Sequence, residues 1–333
     1  MARDFFLSWQ DMKKVAVLTS GGDSPGMNAA IRAVVRTALY NKIEVIGPLN
    51  GYDGLVNNQF IPLESKSVAN IIQRGGTFLK SARSEAFRTK EGRSRAVENL
   101  KSNGVDGLIC IGGDGTYTGA MTLFEEHGIP SVGVPGTIDN DIYGTDYTIG
   151  FDTAINTALE AIDRIRDTAD SHNRTFFVEV MGRHAGHIAL QVALAGGAEA
   201  VFVPELLNPS NWIEQLFAEK KRKKSFSMII VAEGDEEGGA MVLANKVKNK
   251  YPEVSPGVTI LGHIQRGGSP TAFDRVLATK LGAGAVEALL EGKVNMAIGQ
   301  KGNEITLTPY ADAIKGNKVL PQDLLKLIEI VNS

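Results

Sequence analysis

The sequence predicts an α/β protein made of two doubly wound, Rossmann-like parallel-sheet domains facing a central cleft. Three observations lead there. Short apolar, β-branched runs alternate with helix-patterned stretches. The chain, at 333 residues, has room for two domains of about 150 residues each. Its 37 glycines exceed the roughly 7% norm and gather just after the apolar runs.

In chain order the strand-like runs are Val15 to Thr19, Val45 to Gly47, Leu108 to Ile111, Val132 to Val134, Phe176 to Met181, Val201 to Val203, Met228 to Ala232 and Val258 to Leu261. Short runs that are apolar throughout suit parallel strands covered on both faces. Between them lie helical patterns such as Met27 to Tyr40, where Met27, Ile31, Val34, Val35, Ala38 and Leu39 fall at helical spacing. Such folds bind ligands beyond the carboxyl ends of their strands, where the glycines collect.

Composition narrows the class. With 43% hydrophobic and 22% charged residues, the chain reads as a soluble globular protein. A net charge of −3 gives no general attraction to nucleic acid or acidic membranes. No apolar run approaches the roughly 20 residues that span a bilayer. Met1 to Lys14 lacks the basic start and apolar core of a secretory signal. The lone cysteine, Cys110, excludes an intramolecular disulfide and fits a reducing compartment. A cytoplasmic location is expected. Met12-Lys13-Lys14-Val15 makes a natural beginning, so residues 1–11 are read as a disordered tail or an upstream start.

Three strand-end loops carry the chemistry. The first, Thr19 to Asn28, reads Thr-Ser-Gly-Gly-Asp-Ser-Pro-Gly-Met-Asn. Its glycines let backbone N–H groups approach a phosphate at a helix N-terminus, although a plain tight turn needs the same residues. The second is Gly112-Gly113-Asp114-Gly115-Thr116. A carboxylate among glycines suits Mg2+, which takes oxygen ligands and bridges phosphates. The alternative is a helix cap by Asp114 or Thr116, which would not need glycine on both sides. The third, Pro135-Gly136-Thr137-Ile138-Asp139-Asn140-Asp141, offers two carboxylates and a hydroxyl for base and metal work. By itself it reads equally as a turn.

Together with Gly75-Gly76-Thr77-Phe78-Leu79, Ser81-Ala82-Arg83, Val180-Met181-Gly182-Arg183 and Gly262-His263-Ile264-Gln265-Arg266-Gly267-Gly268-Ser269-Pro270, these loops resemble the 6-phosphofructokinases of bacterial, ATP-dependent type. The likeness runs from about Met12 to the C-terminal helix. Rival signatures, a Walker-type phosphate loop, a full G-x-G-x-x-G and H-E-x-x-H, are absent.

The resemblance implies transfer of the γ-phosphoryl group of ATP to the 1-hydroxyl of fructose 6-phosphate, the committing step of glycolysis, with Mg2+ as cofactor. It implies Asp139 as base, Thr137 orienting the reacting groups, and Arg83 and Arg183 neutralising charge on the transferred group. ATP would contact Gly22, Arg83, Ser84, Gly113, Asp114, Gly115 and Thr116, with Asp114 at the metal. The sugar phosphate would contact Thr137, Ile138, Asp139, Met181, Gly182, Arg183, Glu233, His263, Ile264, Gln265 and Arg266, and Arg174 would reach across from a neighbouring subunit of a homotetramer. The implied domains are ATP-binding (12–150 plus about 264–315) and sugar-phosphate-binding (151–263 plus 316–333). An effector site would use Arg32, Arg36, Arg166, Glu199, Arg222 and Lys224; a solvated helix end explains the last two as well.

The donor follows from side-chain volume. Pyrophosphate-using relatives carry aspartate at the position of Gly115 and lysine at that of Gly136; glycine at both leaves room for a nucleotide. Two departures stand out. Gly257 replaces an arginine expected to contact the 6-phosphate from a second subunit. Gln59, Ser225 and Phe226 replace basic or histidine residues at the effector site, which predicts weakened or altered regulation. The competing readings are a pyrophosphate-dependent kinase, a kinase for sedoheptulose 7-phosphate or tagatose 6-phosphate, and a non-catalytic sugar-phosphate sensor. A sensor would lack Asp114, Asp139 or Arg183, and all three are present. Lipid and NAD kinases would share only the second loop.

Overall fold

The structure is a computed structural model that describes residues 12–172, 174–207, 209–220 and 227–332. In chain order it runs β1 (Lys14–Thr19), α1 (Met27–Tyr40), β2 (Glu44–Pro48), α2 (Tyr52–Val56), β3 (Phe60–Pro62), α3 (Lys90–Ser102), β4 (Gly107–Gly112), α4 (Asp114–His127) and β5 (Ser131–Pro135). It continues with α5 (Phe151–His172), β6 (Thr175–Val180), α6 (His187–Ala195), β7 (Ala200–Phe202), α7 (Trp212–Lys220), β8 (Ser227–Ala232), α8 (Gly239–Lys250) and β9 (Gly257–Ile260). The last elements are α9 (Ala272–Leu290), β10 (Met296–Lys301), β11 (Glu304–Pro309), α10 (Tyr310–Lys315) and α11 (Gln322–Asn332). The chain divides into two compact units, one of residues 1–137, 142–152 and 266–318, the other of 138–141, 153–265 and 319–333.

The first unit holds a seven-stranded sheet in the order β11-β10-β5-β4-β1-β2-β3. Its five central strands are parallel; the apolar runs marked four of them, β1, β2, β4 and β5. The two edge strands, β3 and β11, pair antiparallel, so the sheet is mixed rather than purely parallel. Sequence reading missed β3, β10 and β11. β3 is only three residues long and ends in Pro62, which confines it to an edge. β10 and β11 form a hairpin closed by Gly302-Asn303, with Gly302 at φ +56°. That Gly-Asn step was the available signal.

Side chains alternate across the central strands as a doubly wound sheet requires. Val15, Val17, Ile109 and Ile111 pack against α1 and α9. Ala16, Leu18, Leu108 and Cys110 face Tyr52, Leu55, Tyr117 and Tyr310 on the other side. The two helices of the first face cross closely at Gly282, where a Cβ would lie 2.7 Å from the Ala30 carbonyl oxygen. From β1 the chain crosses to β2 on one side, while β4 lies on the other. This reversal of strand order is where such sheets open a crevice at their carboxyl ends.

The second unit holds a four-stranded parallel sheet, β7-β8-β6-β9. β8 is buried along its length, and Phe177, Ile229 and Val231 pack with Phe202, Trp212, Leu243 and Val247. Among the described residues no helix is long and apolar enough to cross a membrane.

Candidate active site

In the first unit, two glycine-rich loops leave the carboxyl ends of β1 and β4, side by side at the strand-order reversal. Ser20 N–H donates to the Ile111 carbonyl at 3.0 Å, and the Thr116 hydroxyl donates to the Ser20 carbonyl at 3.2 Å. Close approach explains the glycine at 112, where a Cβ would sit 2.2 Å from Thr116 Oγ1 and 2.5 Å from the Ser20 oxygen. α4 has Gly113 as its N-cap and Asp114 as its first helical residue. Neither Asp114 nor Thr116 therefore takes the capping position that was the alternative reading of this loop. A side chain at 115 would enter open space.

A third segment, Gln73 to Ser84, is fastened over the first loop. Asn28 donates to the carbonyls of Arg74 and Gly75 and accepts from Phe78 N–H, and the Ser81 hydroxyl donates to the Gly21 carbonyl at 2.7 Å. Thr19 bonds both the Thr77 hydroxyl and the Lys80 carbonyl. The segment leaves Arg83 exposed. Ser84, expected at the nucleotide, donates to Asp53 at 2.9 Å and accepts from Phe87 N–H. A fourth segment closes in from Arg266 to Ser269. The Arg266 guanidinium donates to the Asp23 carbonyl, beside Gly22, and the Ser269 hydroxyl donates to the Gln73 carbonyl. Arg266, which the resemblance grouped with the sugar contacts, rests its guanidinium on the first glycine-rich loop.

Tyr52 was not singled out from sequence. It is buried, stacks on Phe87 at 4.2 Å, and donates its hydroxyl to the Thr116 carbonyl at 2.5 Å, holding the first turn of α4. Only the Gly51-Tyr52 step after β2 hints at it in sequence. Thr137 lies near Gly113, where a Cβ would be 3.8 Å from its own. Gly136 is packed: a Cβ there would meet Ile111 at 2.9 Å and Met27 at 3.1 Å. A side chain at 136 would thus press first on core side chains, and room for a nucleotide rests on Gly115.

In the second unit, the loops after β6, β8 and β9 bring Met181 to Arg183, Glu233 and His263 to the carboxyl edge of one sheet. Asp139 is buried, and its Oδ2 lies 3.7 Å from Arg183 Nε. Arg183 adopts φ +54° after Gly182 at φ +146°, an uncommon conformation for an arginine. Two contacts hold it. Its N–H donates to Glu233 Oε1 at 2.8 Å, and Gly234 packs so closely that a Cβ would fall 1.8 Å from the Arg183 carbonyl oxygen. Ile138 is fully buried, so its side chain belongs to the core. His263 and Ile264 are exposed.

Gln265 is also fully buried. It accepts from Met181 N–H at 2.9 Å and donates to the Ala154 carbonyl at 3.4 Å. Its side chain is therefore occupied with the loop after β6. Arg174 is exposed and precedes β6, at the opposite end of that strand from Met181 to Arg183. Gly257 pairs directly with Phe176, and a Cβ on it would lie 2.4 Å from that ring.

Of the effector set, Arg32 and Arg36 stand one turn apart on α1 of the first unit, with Arg36 donating to the Ser65 carbonyl. Arg166 donates to the Gly196 carbonyl in the second unit, where Glu199 accepts from Met228 N–H at 2.6 Å. Arg222, Lys224, Ser225 and Phe226 lie outside the described residues, as do residues 1–11.

Known proteins resemble this chain over nearly its whole length. The chain is 57% identical over 321 residues to ATP-dependent 6-phosphofructokinase 1 of Thermus thermophilus, covering 96% of this chain and 99% of that one. It is 53% identical to ATP-dependent 6-phosphofructokinase of Cytophaga hutchinsonii, covering 96% and 98%. Phosphofructokinase from Saccharomyces cerevisiae superposes with a TM-score of 0.84 at 39% identity, over 96% of this chain and 47% of the yeast chain. The chain thus spans about half the length of that yeast chain. A pyrophosphate-dependent phosphofructokinase from Marinobacter aquaeolei shares the fold, with a TM-score of 0.82 at 24% identity over 97% of this chain and 92% of that one. Residues 14–289 match the family model described as Phosphofructokinase, and the chain belongs to that family.

Proposed function

We propose that this enzyme transfers the γ-phosphoryl group of ATP to O1 of D-fructose 6-phosphate, giving D-fructose 1,6-bisphosphate and ADP, as a step of glycolysis in the cytoplasm. The observation that carries the reading is the Asp139–Arg183 pair. A buried carboxylate faces an arginine whose backbone is held in the left-handed region by Glu233 and Gly234. Backbone strain of this kind, about 1–3 kcal/mol, persists where the surroundings enforce it, and it gathers at active sites.

In the reaction the Asp139 carboxylate takes the proton of the 1-hydroxyl as that oxygen attacks the γ-phosphorus. The bond between the γ-phosphorus and the β–γ bridging oxygen breaks, and ADP leaves. Thr137 orients the reacting groups. Arg83 and Arg183 offset charge on the transferred group, for which a guanidinium fork is suited. Gly22, Gly113, Gly115 and Thr116 line the nucleotide's path in the first unit, the ATP-binding domain of this reading. Met181, Gly182, Glu233, His263 and Arg266 receive the sugar phosphate.

Among the described residues no cluster of three His, Cys, Asp or Glu side chains could hold a metal by itself. A single carboxylate among glycines, Asp114 at the start of α4, fits Mg2+, which keeps waters and phosphate oxygens around one or two carboxylates. Asp114 would hold it, and the ion would offset charge between the β- and γ-phosphates. ATP is favoured over pyrophosphate because Gly115 borders open space. Assembly with other subunits, a homotetramer in this reading, is supported by Arg174. The six residues of β6 set it about 20 Å from the carboxyl edge of its own sheet, a placement that suits contact with a neighbouring subunit's site.

Turnover of fructose 6-phosphate with ATP and with pyrophosphate, for the natural chain and for Asp139→Ala, tests the reading. We expect ATP to be the better donor and the variant to lose activity by about 100-fold or more. Equal turnover by the two proteins would remove Asp139 as the base.

A further inference from the structure

Behind the loop that begins at Pro135, a second stretch of chain acts as its support. Thr148 is fully buried, and its hydroxyl donates to the Thr137 carbonyl at 2.6 Å. The next residue, Ile149, donates its N–H to the Pro135 carbonyl at 2.8 Å and forms an isolated parallel bridge with Gly136. The residue after that, Gly150, donates its N–H at 2.8 Å to Asp274 Oδ1, itself fully buried at the start of α9. Asp274 is fixed in turn, its N–H donating to Thr271 Oγ1 at 3.2 Å, and the Thr271 hydroxyl donates to Asp152 Oδ2 at 2.6 Å. Gly150 sits at φ +102° and Gly26 at φ +110°, and a Cβ on Gly26 would touch Ile149 at 2.6 Å. The support is therefore clamped between the first glycine-rich loop and α9.

We propose that Thr148, braced by Asp274 through Gly150, is a positioning residue that sets where the loop from Thr137 to Asp141 begins. The proposal deepens the functional reading above and rests on Asp139 being the base. The physical case is that β5 ends at Pro135, and beyond it Gly136 keeps its N–H on the Gly112 carbonyl at 3.0 Å and bridges Ile149, while the Thr137 carbonyl accepts from the Thr148 hydroxyl. Thr137 is also the last residue of the first unit before the chain passes to Ile138–Asp141 of the second. A small rotation of the 137 peptide would swing everything that follows, and misplacement of a reacting group by about 1 Å can cost about 100-fold in rate. Thr148 touches no substrate in this scheme; it acts through Thr137.

The test compares Thr148→Val, which keeps the shape and removes the donor, with Thr148→Ser, which keeps the hydroxyl. Readouts are kcat and KM for both substrates, thermal unfolding, and amide hydrogen exchange of the 137–141 peptide. We expect Thr148→Val to lower kcat by about 10- to 100-fold, with both KM values nearly unchanged and faster exchange in 137–141. Thr148→Ser should restore kcat to within about twofold. Unchanged exchange in that peptide, or a rate loss that serine fails to rescue, would overturn the proposal. Where Thr148→Val does not fold, Thr148→Ala gives the same comparison. If the natural chain failed to phosphorylate fructose 6-phosphate, the functional reading would fall while the exchange result still decided the role of Thr148.

Discussion

Arg183 combines two demands that pull against each other. Its side chain faces Asp139, while its backbone occupies a region where glycine would be unstrained. Replacing it with glycine should therefore separate stability from activity. Arg183→Gly is expected to keep its melting temperature or raise it by a few degrees, while turnover falls about 100-fold. A large drop in melting temperature with activity retained would contradict this. Residues of this kind were only half legible in sequence. Arg183 stood out through the Met-Gly-Arg run, but nothing in the string revealed its backbone conformation, because φ is imposed by Glu233 and Gly234, about 50 positions away. Gln265 shows the reverse. Its motif marked it as a sugar contact, yet burial turns its amide toward the main chain.

Elements carry these residues, and Gln265 joins two of them. Its amide ties the short helical turn at Gly262–Arg266 to the end of β6 and to α5. Gln265→Met removes both hydrogen bonds at nearly constant volume. It leaves buried backbone groups poorly satisfied, at about 1–3 kcal/mol each. The expected result is a KM for fructose 6-phosphate raised about tenfold with that for ATP little changed; equal effects on both would argue against it. The parallel strands were readable because burial on both faces makes them uniformly apolar, as β4 and β8 show. The edges were not. β11 alternates apolar Ile305 and Leu307 with Thr306 and Thr308 and buries none of them fully, so its sequence has no apolar run to find.

At the scale of the whole molecule, one core cluster groups ionisable groups in the dark. Burial pushes the Cys110 thiol from its ordinary 9.0 up to about 12 and holds the Tyr52 and Tyr310 hydroxyls well above 10. All three are kept neutral by folding, so the unfolded chain loses their protons first as pH rises. Their contribution to stability is complete below about pH 9 and is lost as pH climbs toward 12. Melting temperature should fall steeply above about pH 9.5; a flat profile to about pH 11 would contradict this. Regulation is the other whole-molecule property. Gln59, Ser225 and Phe226 stand where the resemblance implies basic or histidine residues at an effector site, so ADP or phosphoenolpyruvate should leave the fructose 6-phosphate saturation curve unchanged in shape. Strong activation by ADP would refute it.

The Phe176 ring resting on Gly257 has a consequence for how this lineage can change. A cation placed at 257 would set its first carbon 2.4 Å from that ring, so the ring must swing aside or be replaced by a smaller side chain before the cation fits. The benefit of an arginine at 257 is thereby coupled to the residue at 176, and the double change should bind sugar phosphate better than the single one.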